Sequence, residues 1–291
     1  MNSSHLTIVS TSQPWFAVRF ADPGIFIIEE PHHVERVKSY LIEGGERAIL
    51  LDTGMGVGDM RALVEGLTDR PVIVVNSHAH WDHIGGNQQF GESWIHEAEA
   101  EALAKGVPNT KLRQAFSPEN LSGPLPDGVD PATISFPPIP ATGTVRDGHR
   151  FDLGTRTLEV IHGPGHSCGG ISLLDAGNGA LFSTDVAYAG ALYVYDPAEL
   201  PVYHASLSQL ADLAPNLNAV YPAHGASPIS PALLPMMRDG VAAVIDGLPP
   251  QRTEGDMARY DFDGFALQVW GMPTGGSLHM NNPDLGPIAR P

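Results

Sequence analysis

His78-Ala79-His80-Trp81-Asp82-His83 places three imidazoles and one carboxylate within six residues. The apolar stretch Val72-Ile73-Val74-Val75 precedes it, so the run stands just past the end of a buried strand. Groups of this kind crowded at a strand end are costly to desolvate separately, and a shared cation relieves that cost. Neutral imidazole and carboxylate are the ligands that borderline metals such as zinc take. A polar turn merely rich in histidine is the competing reading.

Residues downstream weigh against that reading. His166 lies in the Gly/Pro turn His162-Gly163-Pro164-Gly165-His166-Ser167, Asp185 follows Ala180-Leu181-Phe182-Ser183, and His224 follows Ala219-Val220-Tyr221-Pro222-Ala223. Each ends a strand-like run, where loops of α/β sheets converge on sites. Together the candidates make five histidines and two aspartates, enough for two metals with a shared carboxylate.

Composition narrows the class. In 291 residues, 42% are hydrophobic and 17% charged, which supports one large α/β domain spanning 1–291. The net charge of −17 and only three lysines argue against nucleic acid and anionic membranes as partners. A small-molecule substrate fits, and a homodimer is possible. The single cysteine, Cys168, excludes an internal disulfide and fits a reducing compartment. The start Met1-Asn2-Ser3-Ser4-His5-Leu6 lacks a basic segment followed by an apolar one, and no apolar stretch reaches membrane-span length, so a cytoplasmic protein is expected.

Strand and helix signals alternate along the chain. Phe16–Phe20, Ile25–Ile28, Ser39–Ile42, Ala48–Leu51 and 72–76 read as strands, with a helix from Met60 to Leu67. His96 to Lys105 reads as helical. Eight prolines between 106 and 148 mark an insertion expected to act as a lid or binding loop. Strands return at Thr157–Ile161, Ile171–Leu174 and Ala180–Ser183, helices at Tyr203–Leu213 and Ala232–Ile245, and a last strand at Phe265–Trp270. Pro31-His32-His33 reads as a surface turn, and Cys168 as a small buried filler.

Leu51-Asp52-Thr53-Gly54, the His78–His83 run, Gly165-His166, Ser183-Thr184-Asp185 and Pro222-Ala223-His224-Gly225 occur in an order that resembles the metallo-β-lactamase-fold hydrolase superfamily. The resemblance implies a four-layer αββα sandwich with two divalent metal ions, expected to be Zn2+, at one edge of the sheets. It implies that His78, His80 and His166 hold the first metal, that Asp82, His83 and His224 hold the second, and that Asp185 bridges them. Asp52 would orient a ligand imidazole through a hydrogen bond.

Such a centre implies metal-dependent hydrolysis, with Asp82 also orienting the attacking water. Tyr188, three residues after Asp185, resembles a tyrosine of the N-acyl-homoserine lactonases that holds a substrate oxygen, so a lactone is the leading substrate. The competing role for Tyr188 is packing beneath the following loop. A glyoxalase II-like thioesterase or a phosphoester hydrolase is the alternative, ahead of a β-lactamase or an iron-dependent oxygenase.

Overall fold

The computed structural model describes residues 6–272; residues 1–5 and 273–291 lie outside it. Eight strands pair in chain order: Thr7–Val9, Ala17–Asp22, Ile25–Glu29, Lys38–Glu43, Ala48–Leu51, Val72–Val75, Ser93–His96 and Gly143–Val145. A second sheet has the order Ala219–Pro222, Ala180–Thr184, Ile171–Asp175, Thr157–His162 and Arg150–Asp152. A third, smaller sheet joins Ala191–Val194, Phe265–Val269, Met257–Phe262 and Arg252–Glu254.

The period-2 pattern of these strands sorts their side chains into layers. Ile25, Ile27, Tyr40, Ile42, Ile49 and Leu51 face the second sheet and meet Leu158, Val160, Leu173 and Phe182 there. Their neighbours Ile28, Leu41 and Leu50 point the other way, onto Met60, Leu63 and Val64 of the Met60–Leu67 helix. Leu181 and Val220 face outward onto Leu207 and Leu210 of the Leu200–Leu213 helix and Met237 and Val241 of the Leu233–Ile245 helix. Helix, sheet, sheet and helix therefore stack as a four-layer αββα sandwich. Because both faces of each central sheet are buried, these strands read as nearly continuous apolar runs.

Some expectations need correction. His96 ends a strand: Ser93–His96 pairs parallel to Val72–Val75, and the expected helix begins after it, as a 3-10 turn at Glu97–Glu99 that runs into the α-helix Ala100–Lys105. Trp94 and Ile95 favour the pleated surface, which overrides the Ala/Glu-rich text that follows. The helix expected from Tyr203 starts at Leu200, because Pro201 sits in its first turn, where a missing N–H costs nothing. His33 is buried rather than on the surface, its Nε2 2.9 Å from the Ala115 carbonyl. Cys168 is exposed rather than buried, its Sγ 3.7 Å from Glu99 Oε1. The Pro-rich segment carries a short helix, Asn109–Ala115, anchored by buried Leu112 and Phe116. Among the described residues no helix is long and apolar enough to cross a membrane.

Candidate metal centre

Strand ends from both sheets meet at one edge of the sandwich. Ile171 N–H donates to the Ser77 carbonyl at 3.0 Å, and Ala223 N–H donates to the Thr184 carbonyl at 3.2 Å. These bonds bring the loop after Val72–Val75 against the loops that carry His166, Asp185 and His224. His80 holds an extended backbone immediately before the short helix Trp81–Ile84, which carries Asp82 and His83. Thr184, next to Asp185, has a φ of 51°, and Asp52 one of 63°. Left-handed backbone at two non-glycine residues flanking one site is strain that the surrounding fold sustains.

The seven expected ligand residues converge. Three groups have potential ligand atoms within 4.8 Å of one another: His78 with His80 and His166, His78 with His83 and Asp185, and Asp82 with His83 and His224. Asp185 Oδ2 lies 3.8 Å from His78 Nε2, 3.5 Å from His83 Nε2, and 3.4 Å from both His166 Nε2 and His224 Nε2. Asp82 Oδ2 lies 3.5 Å from His83 Nε2 and 3.4 Å from His224 Nε2. His166 Nε2 stands 3.0 Å from His80 Nδ1. This is the arrangement in which one carboxylate faces two ligand sets.

Behind the ligands sits a layer of orienting bonds. Asp52 Oδ2 accepts from His83 Nδ1 at 2.8 Å and from Ser77 Oγ at 2.8 Å, while Oδ1 accepts from Ser77 N–H at 2.6 Å. Ser77 Oγ in turn lies 2.9 Å from His78 Nδ1. His224 Nδ1 stands 3.0 Å from the Glu35 carbonyl. Each of these bonds fixes which ring nitrogen faces the centre. Gly54 keeps this wall close: its φ is 69°, and a Cβ there would fall 1.9 Å from Glu30 Oε1.

Electrostatics divides the centre in two. Burial, with the neighbouring His83 and His80 rings, holds His78 well below the usual imidazole range. Burial and His166 push His80 down to about 3, and burial also lowers His166. These three rings are neutral and ready to ligate. Burial opposes charge on His83 and His224 as well, but Asp185 and Asp82 outweigh it and raise both. Burial likewise works against ionised Asp82 and Asp185, and the imidazoles override it and hold both carboxyls low. Two buried carboxylates so placed call for positive charge. His78 Nε2, His83 Nε2 and Asp185 Oδ1 are buried without a hydrogen-bond partner among the described residues. The donor set therefore fits metal ions.

Tyr188 is buried, its ring centroid 5.6 Å from that of His224, and its hydroxyl donates to the Ala191 carbonyl. Trp81 packs edge-on against His33 and Phe116, at 5.5 and 5.6 Å. Sequence reasoning missed Ser77, Glu35 and Tyr195. Ser77 was legible, as the residue beside the first ligand; Tyr195 and Glu35 reach the site only through the packing of distant segments.

Residues 34–224 match the Metallo-beta-lactamase superfamily. Acyl-coenzyme A thioesterase MBLAC2 of Bos taurus is 32% identical over 227 residues, covering 72% of this chain and 81% of that protein. The protein of the same name from Homo sapiens is also 32% identical, with the same coverage. A metallo-beta-lactamase family protein from Thermus thermophilus superposes with a TM-score of 0.56 at 21% identity, over 77% of this chain and 81% of that one. With its ligand-bearing strand ends inside the matched region, the chain belongs to the metallo-beta-lactamase superfamily.

Proposed function

We propose that the protein is a zinc-dependent hydrolase of carboxylic thioesters, of the acyl-coenzyme A class. One observation carries this reading: two ligand triads face a common Asp185 in a chain 32% identical to acyl-coenzyme A thioesterases over most of its length. Two divalent ions, when bound, would supply a water acidified towards neutrality and a Lewis-acid contact for the carbonyl oxygen. His78, His80 and His166 would hold one ion, Asp82, His83 and His224 the other, with Asp185 between them.

The chain's own residues do the rest. Asp82 orients the attacking water and takes its proton. Asp52 and the Glu35 carbonyl hold the His83 and His224 rings in place. Half-buried Lys111, on the Asn109–Ala115 helix, forms no ion pair among the described residues and lies within electrostatic reach of Asp82 and Glu35. It supplies positive charge for an anionic substrate at a centre whose protein carries a net −17. The Pro-rich segment acts here as a wall of the substrate pocket.

A lactone is the second reading, supported by the proximity of Tyr188 to His224. The thioester ranks above it because the Tyr188 hydroxyl is already bonded to Ala191. The test compares thiol release from octanoyl-coenzyme A with ring opening of N-octanoyl-homoserine lactone, using zinc-loaded protein. Thiol release that a chelator abolishes supports the thioester. Lactone opening without thiol release replaces it.

A further inference from the structure

Three aromatic residues, Tyr193 within the third sheet and Tyr195 and Trp270 just past the ends of two of its strands, form a shelf beside the candidate metal centre. The Tyr195 ring stacks on Trp270, with centroids 5.5 Å apart and planes at 27°. Trp270 is 9% exposed, and its backbone N–H donates to the Val194 carbonyl at 3.0 Å. The ring therefore sits on a strand-paired, buried support rather than on a free loop. The same ring borders the centre: the centroids of His80 and His166 lie 6.1 and 5.9 Å from its own.

The three tyrosines near this edge differ in hydroxyl bonding and in ring contacts. Among the described residues, only Tyr188 of the three has its hydroxyl bonded, and only Tyr195 has both a free hydroxyl and ring contacts with two ligand imidazoles. That of Tyr188 is bonded to the Ala191 carbonyl. Among the described residues, that of Tyr195 makes no hydrogen bond. Tyr193 touches Trp270 and Tyr195 at 5.3 and 6.5 Å but makes no ring contact with an imidazole ligand. Tyr195 thus combines a fixed ring, an uncommitted donor and a place beside the first ligand triad. Tyr195 alone of the three pairs its ring with both His80 and His166 of the first ligand triad.

We propose that Tyr195 is a catalytic residue whose phenol donates a hydrogen bond to the carbonyl oxygen of the bound ester. The inference rests on the hydrolase reading above. As the water oxygen bonds to the carbonyl carbon, the carbonyl π pair moves onto its oxygen and the water's proton passes to Asp82. A donor already in place there favours the charge as it develops. The pair then returns to reform C=O, and the C–S bond breaks with its electrons leaving on sulfur. A thiolate is a weak acceptor and leaves without prior protonation, so the phenol acts at the carbonyl oxygen rather than at the leaving group.

The experiment uses the full zinc-loaded chain and its Tyr195→Phe variant, which keeps the ring on Trp270 and removes only the hydroxyl. One measurement is kcat and KM with octanoyl-coenzyme A; the other is calorimetric titration with octanoate, whose carboxylate presents the same oxygen. The expected result is a kcat at least about tenfold lower with KM within about twofold, and octanoate bound about fivefold more weakly. Both quantities within twofold of wild type overturn the assignment. If wild type releases no thiol, the thioester reading fails by itself. The octanoate titration then decides Tyr195: weaker binding supports it, unchanged binding overturns it.

Discussion

Asp52 Oδ2 lies 2.8 Å from His83 Nδ1, and both side chains are almost wholly buried. The bond leaves His83 Nε2 facing Asp82 and Asp185, each 3.5 Å away. Through Ser77 the same carboxylate also reaches His78, so one aspartate orients a ring in each proposed ligand set.

Asp52→Asn keeps the shape but weakens this control. Zinc affinity is expected to fall about 10- to 100-fold, the usual effect of losing an orienting partner. Competitive chelator titration reads it; affinity within twofold of wild type would remove Asp52 from that role.

Asp185 sits where both ligand sets meet, so Asp185→Ala is expected to lower turnover by more than about a hundredfold and to leave less than two zincs bound. Zinc should raise the unfolding temperature of wild type, since it binds only the folded chain, and raise that of the variant less. Wild-type turnover with two metals in Asp185→Ala would show that the carboxylate bridges nothing.

Glu30 supplies a pH signature. Burial pushes its carboxyl up to about 7, against the Trp15 indole N–H and the Met55 N–H, which favour the anion. Its folded value lies above the ordinary 4.5, so the folded chain holds this proton more tightly than the unfolded one. The stabilisation is complete below about 4.5 and is lost as pH rises through about 7, on the order of 3 kcal/mol in all. Glu30→Gln should remove that slope whatever its absolute stability. Urea unfolding of both proteins from pH 4.5 to 8 checks it, and parallel curves would count against a raised Glu30.

Lys111→Gln tests the proposed anion contact. KM for octanoyl-coenzyme A should rise about three- to tenfold with kcat nearly unchanged, and the rise should shrink at high salt. A KM indifferent to the substitution would place Lys111 outside the substrate path.

Much of this was legible in the chain text. Buried strands announce themselves as apolar runs, and ligand types at strand ends announce chemistry, so the alternating strands and helices and the seven ligand candidates were read from the residues, while the four-layer sandwich came from the family resemblance. Short edge strands such as Thr7–Val9 and Arg252–Glu254 were not, because three mostly exposed residues are too few to carry a periodic signal. His33 looked like a turn residue, and its burial under Trp81 and Phe116 depends on a helix about 80 residues away.

By itself the sequence determined which residue types could bind a metal and on which strand ends they stand, since hydrophobic periodicity and ligand chemistry are local properties. Only the tertiary structure decided that Asp185 Oδ2 faces four imidazoles, that Asp52 serves two ligands through Ser77, and that Tyr195 rather than Tyr188 keeps an uncommitted hydroxyl. Those relationships join segments tens to hundreds of residues apart. Packing of the two sheets sets them, and no local pattern encodes the distance between side chains that meet only after the core has closed.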